Sequence, residues 1–150
     1  MNASLLEAVW AAPGRHAALG VRDWETLLGQ ARQARLLARL AVHCATEGWL
    51  SSIADGPRQH LEGALRLADR QQHEVRWEVD CISRALKSVN VPVVLLKGAA
   101  YLMTGLPAAR GRLFADIDLM VSIEHIQVVE GALFGAGWIS AERDAYNQRY

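Results

Sequence analysis

The stretch over residues 91–121 constrains the fold more than any other part of the sequence. It opens with a short apolar run at residues 93–96, which is rich in β-branched side chains and predicts a buried strand. Lys97 and Gly98 follow at once, and a glycine here permits a tight turn and a close approach of a ligand to the backbone. A short helix is predicted over residues 99–103, so the stretch begins as strand, glycine turn and helix.

Two acidic residues stand on the next predicted strand, over residues 116–121. Side chains alternate between the faces of a strand, so Asp116 and Asp118 point one way while Ile117 and Leu119 point into the core. The two carboxylates then lie about 7 Å apart along the strand. Two carboxylates at this spacing can share one divalent cation, and the pattern predicts half of a metal site.

Two basic residues flank the glycine turn and the acids. Lys97 faces the carboxylates, so its ammonium group suits either a phosphate or a salt bridge with Asp116 or Asp118. Arg112 lies in the loop before the acids, and its guanidinium fork suits a phosphate or a carboxylate. Gly98 is interpreted as the place where a phosphate approaches the backbone, with a plain turn as the alternative.

The order of strand, glycine turn, short helix, basic loop and acidic strand resembles the polymerase-beta-like nucleotidyltransferase superfamily. The motifs LLKGAA at residues 95–100 and DIDLMV at residues 116–121 resemble a bacterial family of largely uncharacterised nucleotidyltransferase-like proteins. In the superfamily, the glycine turn faces a nucleoside triphosphate and the acids bind metal. The resemblance therefore implies a nucleotide-binding set of Lys97, Gly98, Ala99 and Arg112. It also implies that Asp116 and Asp118 are catalytic residues that hold Mg²⁺ or Mn²⁺.

The activity implied by the resemblance is transfer of a nucleotidyl group from a nucleoside triphosphate to an acceptor hydroxyl. The acceptor stays open among a sugar, another small molecule, a protein side chain and an RNA end. The superfamily carries a third acid on a later strand, whereas here the acids after Trp138 are Glu142 and Asp144, in a polar tail. We therefore expect an α/β part that is incomplete at its C-terminus, and a 150-residue chain that is weakly active or inactive.

Two other classes of protein share parts of this pattern. A non-catalytic nucleotide-binding or scaffold domain on the same fold fits the missing third acid. A sugar transferase would use Asp116 and Asp118 to hold a nucleotide-sugar. That class is disfavoured because such enzymes usually begin with a βαβ nucleotide-binding unit, and the first half of this chain predicts helices.

The sequence before residue 91 predicts a helical region. Apolar residues recur at helical spacing between Leu27 and Cys44, and Gly29 is a candidate point for splitting this stretch into two helices. A long helix is predicted from Gly56 to Asn90. Its apolar stripe alternates steps of four and three and is broken only by Gln72: Leu61, Leu65, Ala68, Gln72, Val75, Val79, Ile82, Leu86 and Val89. The stripe over residues 61–89 fits a homodimer seam or packing on the chain's own N-terminal helices, and we favour the latter.

Residues after the acidic strand complete the expected architecture. A helix is predicted over residues 123–136, and Trp138 is predicted to begin a third strand. The predicted fold class is α+β. A helical N-terminal half, residues 1–90, precedes a partial nucleotidyltransferase-fold mixed sheet with flanking helices, residues 91–150.

Composition narrows the range of partners. Lys and Arg together number 16, as do Asp and Glu, so the formal net charge is zero and a dedicated nucleic-acid binder is disfavoured. The sequence has no apolar run of membrane-spanning length and no basic leader, so we expect a cytoplasmic protein without a membrane partner. Cys44 and Cys81 are interpreted as reduced, buried thiols.

Overall fold

The computed structural model describes residues 5–12, 14 and 18–139. The main elements, in chain order, are α1 (Leu5–Ala11), α2 (Val21–Gln33), α3 (Leu37–Thr46), α4 (Asp55–Leu86), β1 (Val94–Leu95), α5 (Lys97–Met103), β2 (Leu119–Met120) and α6 (Ile126–Gly135). Short 3-10 turns lie at Leu50–Ser52, Pro107–Ala109 and Ile123–His125. The α+β class is confirmed in this form, as a mostly helical chain with a small antiparallel sheet.

One hydrophobic cluster joins the first three helices to the beginning of α4. Apolar residues at helical spacing turn one face of each helix inward, and the largest fully buried side chains include Val9, Leu27, Leu40 and Leu61. A partly buried hydrogen bond holds α1 against α2: the Leu6 backbone N–H donates to Gln30 Oε1 over 3.1 Å. This cluster, hereafter the helical cluster, is the larger of the two cores.

The break between α2 and α3 lies at residues 34–36, so the prediction of a break at Gly29 is wrong. Arg35 takes a positive φ of 57°, and the Leu36 N–H donates to Ala31 O over 2.7 Å. A left-handed residue just after a helix reverses the chain and satisfies the helix's last carbonyls. Gly29 lies inside α2, where a side chain would meet open space, so nothing there forces a bend.

Helix α4 runs through both halves of the fold. Leu61, Ala64 and Ala68 belong to the helical cluster, whereas Val75 belongs to a second one. This second cluster, hereafter the α/β cluster, also contains Ala99, Leu102 and Ala109, with Val79, Leu95, Phe114 and Ile117 packed against it. The predicted packing within the chain is confirmed, but only the first half of the stripe faces the N-terminal helices. The helix also ends at Leu86 rather than at Asn90.

The sheet consists of β1 and β2 in antiparallel pairing, with Val94 opposite Met120 and Leu95 opposite Leu119. One further hydrogen bond extends the pairing, from the Leu96 N–H to Asp118 O at 2.9 Å. Within residues 18–139 the sheet is therefore antiparallel, and the prediction of a mixed sheet is wrong for this part of the chain.

The third strand predicted to begin at Trp138 is not present at Trp138 and Ile139, where the described residues end. The Trp138 backbone N–H donates to Leu133 O at 3.0 Å, which closes the end of α6, and its indole N–H donates to Glu78 Oε1 at 2.8 Å. These contacts hold Trp138 against α4 and α6 instead of beside a strand. The predicted helix at residues 123–136 is present as a 3-10 turn followed by α6.

No helix among the described residues combines the length and the apolar character needed to cross a bilayer.

Candidate functional site

The turn after β1 places Lys97 and Gly98 at the start of α5. Lys97, and not Gly98, has the positive φ, at 48°. Gly98 is needed for space: a Cβ there would lie 3.0 Å from Arg112 Nε and 3.1 Å from Phe114 Cδ1. Its buried backbone thus lets the loop carrying Arg112 and Phe114 close against the turn. Close backbone approach is the role predicted for the glycine, although here the approaching groups are side chains of the protein itself.

Asp116 and Asp118 line one cleft, although both lie before the regular strand. The regular strand is shorter than expected and begins only at Leu119, but Asp118 already shares in the pairing through its carbonyl oxygen. Ile117 packs against the α/β cluster, and both acids line a common cleft; Asp116 also borders a pocket that includes Val75 and Ile117. Asp116 is exposed and the Asp118 side chain keeps 29% of its surface accessible. Both carboxylates can therefore reach a ligand from solvent.

Lys97 forms an ion pair with Asp118, with 3.1 Å between Nζ and Oδ1. The lysine side chain is 67% exposed, and a solvent-exposed pair of this kind contributes about 0–1 kcal/mol to stability. This is the salt bridge that the sequence allowed as the alternative to a phosphate contact. Because the pair is weak, a phosphate or a cation can compete for either partner.

A cleft of about 280 Å³ brings the predicted residues together. Its walls include five of the six residues predicted for the site: Lys97, Gly98, Arg112, Asp116 and Asp118. Ala99, the sixth, is 1% exposed and belongs to the α/β cluster, so only its backbone remains for a ligand. The cleft places two cationic groups and two carboxylates around one volume.

The loop that carries Arg112 is anchored by residues that the sequence reasoning missed. The Phe114 N–H donates to Gln71 Oε1 on α4 over 2.9 Å. Gly111 has a φ of 65° and packs so closely that a Cβ would lie 2.6 Å from Arg39 Cα. The arginine itself is exposed, with its guanidinium carbon 6.0 Å from the centre of the Tyr101 ring. A glycine between two arginines was the available signal for such a close contact, and the role of Gln71 left no local mark.

Comparison with known proteins supplies the observation that places this site in a family. Residues 21–150 match the model of a family described as uncharacterised nucleotidyltransferase. The chain belongs to this nucleotidyltransferase family. No curated protein and no solved structure matches it.

The family match includes α2, α3 and α4 as well as the cleft. The helical half from α2 onward is thus part of what the chain shares with its family, rather than an unrelated extension. This agrees with the path of α4, which contributes to both clusters.

The side chains of the cleft fit a hard divalent cation in part. Within residues 5–12, 14 and 18–139, no group of three or more His, Cys, Asp or Glu side chains is arranged to hold a metal. Proteins commonly bind Mg²⁺ through one or two carboxylates, while waters and substrate phosphates complete its coordination. Asp116 and Asp118, which line one cleft, match this requirement for carboxylates. Glu142 and Asp144 lie outside the described residues.

Proposed function

We propose that this nucleotidyltransferase moves a nucleotidyl group from a nucleoside triphosphate to an acceptor hydroxyl, with a divalent cation held by Asp116 and Asp118. The observation that carries the proposal is the convergence of both acids, Lys97, Gly98 and Arg112 on a single cleft. These residues come from two segments, 97–98 and 112–118, and a chance grouping of solvated charges would not need the tight contact between Gly98 and Arg112.

Lys97 and Arg112 are assigned to the triphosphate. The Arg112 guanidinium offers a planar pair of donors that matches phosphate oxygens, and the Lys97 ammonium offers a compact charge on a flexible stem. On nucleotide binding, Lys97 exchanges Asp118 for a phosphate oxygen, which frees that carboxylate for the cation. Gly98 keeps the turn narrow enough for the phosphates to lie between the two basic groups.

Asp116 and Asp118 would hold Mg²⁺ or Mn²⁺. When bound, such an ion neutralises phosphate charge and favours ionisation of a hydroxyl beside it. The acceptor oxygen then attacks the α-phosphorus and forms a new P–O bond as the bond to pyrophosphate breaks. The hydroxyl proton passes to water or to a carboxylate of the cleft, and pyrophosphate leaves with the displaced electron pair.

A second candidate is a nucleotide-binding domain without catalysis. The ion pair between Lys97 and Asp118 favours it, because one of the two described acids already has a cationic partner. The two candidates share nucleotide binding and differ in turnover.

Calorimetric titration with Mg²⁺ and a panel of nucleoside triphosphates tests the proposal. Asp116→Asn and Asp118→Asn should each abolish metal-dependent nucleotide binding and change the unfolding free energy by less than about 1 kcal/mol, since both acids are accessible. Asp80→Asn, an exposed carboxylate on α4 that pairs with Arg84, is the control and should bind as the wild type does.

Nucleotide binding that is independent of metal in the wild type, or that survives both substitutions, would remove the two acids from the site. Pyrophosphate release in the presence of hydroxyl-bearing acceptors separates the two candidates. Metal-dependent binding without any release identifies the binding domain.

A further inference from the structure

A second, larger groove adjoins the nucleotide cleft. It encloses about 680 Å³ between the α2–α3 junction and the loop before Asp116. Its walls carry four arginines, Arg32, Arg35, Arg39 and Arg112, and no carboxylate. We call it the arginine groove. Residues 112–115 line both the groove and the cleft, so the two volumes lie on either side of one loop.

The charges of these arginines are not compensated by neighbouring acids. In the described parts of the chain, no carboxylate lies within ion-pair distance of any of the four. Three of the five arginines on α4, Arg58, Arg70 and Arg84, each pair with an acid on the same helix, whereas Arg66 and Arg76 form no such pair. Arg32, Arg35 and Arg39 create a local positive potential that a neutral total charge conceals, whereas Arg112 also shares the cleft with Asp116 and Asp118.

The groove is held by contacts between distant segments. Arg39 Nη2 donates to Ala108 O at 2.6 Å, and Gly111 lies against the backbone of Ala38 and Arg39. A side chain at Gly111 would collide with that backbone, so the two walls are in direct contact at this point. The positions of the arginines therefore follow from packing and do not depend on the conformation of free surface loops.

We propose that the arginine groove binds phosphate groups of the acceptor substrate. This inference rests on the proposed nucleotidyl transfer, because it needs the cleft to hold the donor nucleotide. Guanidinium groups recognise phosphate oxygens through paired donors, and the three that are not assigned to the donor nucleotide, Arg32, Arg35 and Arg39, suit an acceptor with more than one phosphate. With its phosphates along Arg39, Arg35 and Arg32, the acceptor presents its hydroxyl across the shared loop to Asp116 and Asp118.

Two sources supply this chemistry, the end of a single-stranded nucleic acid and a small molecule with two phosphates. An eight-residue oligouridylate carrying a 5′ fluorophore is the probe for the first, measured by anisotropy. Fructose 1,6-bisphosphate is the probe for the second, measured by calorimetry beside unphosphorylated fructose. Neither measurement requires metal or nucleotide. Failure of the nucleotide titration, which concerns the cleft, is therefore distinguishable from failure of the probes to bind the arginine groove.

The informative variant is Arg32→Gln/Arg35→Gln, which removes two charges from the far end of the groove. We expect at least one probe to bind the wild type and to lose roughly tenfold or more in affinity in the variant. For the oligonucleotide, the slope of log affinity against log salt should fall by about 1.4. The matched control is Arg66→Gln/Arg76→Gln, two exposed arginines of α4 outside the groove, which should leave affinity and slope unchanged.

Either probe alone satisfies the proposal and names the source of the phosphate. Equal loss of affinity in the control variant would show diffuse attraction and overturn it. So would displacement of the bound probe by nucleoside triphosphate, or weakened triphosphate binding in Arg32→Gln/Arg35→Gln, because the groove would then belong to the donor. If replacement of Arg35 disturbs the α2–α3 turn, Arg32→Gln is measured alone. This single variant should bind the probe about threefold more weakly than the wild type does. Wild-type affinity in folded Arg32→Gln would also overturn the proposal.

Discussion

Two glycines at the site are required for different reasons, and their replacement separates binding from folding. Gly98 has no positive φ, and its nearest neighbours are a flexible arginine and an aromatic ring edge. Gly111 combines a φ of 65° with a backbone contact that would be 2.6 Å from a Cβ. A side chain at the first position displaces Arg112, whereas at the second it must move a helix.

We expect the free energy of unfolding of Gly98→Ala to lie within about 1 kcal/mol of the wild-type value. We expect the same variant to bind nucleoside triphosphate several-fold more weakly. Gly111→Ala should lose roughly 2–4 kcal/mol of unfolding free energy, from the left-handed backbone and the collision together. Urea denaturation and nucleotide titration of both variants provide the measurements. Unchanged nucleotide affinity in folded Gly98→Ala would show that the turn lies away from the phosphates.

Cys44 is the titratable residue most altered by the fold. Burial in the helical cluster raises the pKa of its thiol from 9.0 to about 11. The unfolded chain releases this proton near pH 9 while the folded chain retains it, so the unfolded state gains free energy of ionisation as the pH rises from 9 to 11.

The free energy of unfolding of the wild type should therefore fall by on the order of 2 kcal/mol between pH 9 and pH 11, relative to that of Cys44→Ala over the same range. Urea denaturation of both proteins at several pH values from 8 to 11 measures the difference, and other titrating groups cancel between the two curves. Parallel curves would mean that the native thiol ionises as freely as the unfolded one.

At the scale of elements, α4 contributes residues to both the helical cluster and the α/β cluster and so connects them. Its first half buries Leu61 completely in the helical cluster, while Leu67, six residues later, is 48% exposed on another face. The same chemical change at these two positions therefore measures which side of the helix stabilises the protein.

Leu61→Ala should lower the unfolding free energy by roughly 2–5 kcal/mol, through lost burial and the cavity left behind. Leu67→Ala should cost less than about 1 kcal/mol, because a half-exposed side chain leaves no cavity and alanine is a good helix former. Thermal and chemical denaturation give both values. Comparable losses in the two variants would point to a contact on the Leu67 face, such as a second copy of the chain.

At the scale of the whole molecule, the helical cluster and the α/β cluster are linked by one continuous helix. Residues 69–74 of α4 cross between them, and Gln71 in this segment accepts the hydrogen bond from Phe114. We expect the two clusters to unfold in a single transition, because losing either one exposes half of the helix they share.

Gln72→Pro tests this coupling, since proline inside a helix removes a hydrogen bond and costs about 3 kcal/mol or more. The variant should show two transitions, or early loss of the α/β cluster, when urea unfolding is followed by circular dichroism and by amide hydrogen exchange. Wild-type cooperativity in a destabilised variant would mean that contacts other than α4 connect the clusters.

The sequence by itself determined the order of elements around the cleft and most of its residues. The apolar run before Lys97, the alternation of Asp116 with Ile117, and the stripe along α4 are local patterns that depend only on neighbouring residues. The resemblance of these motifs to the nucleotidyltransferase superfamily grouped Gly98 with the two acids, and the structure brings them to one cleft.

Only the tertiary structure decided what depends on residues far apart in the chain. The turn at Arg35, the division of α4 between two clusters and the contact of Gly111 with Arg39 follow from packing. Trp138 joins the helices instead of a sheet because Glu78, 60 residues earlier, accepts its indole hydrogen bond. The arginine groove arises in the same way. Residues 32–39 and Arg112 lie close together in three dimensions, and no local period or spacing in the sequence encodes that proximity.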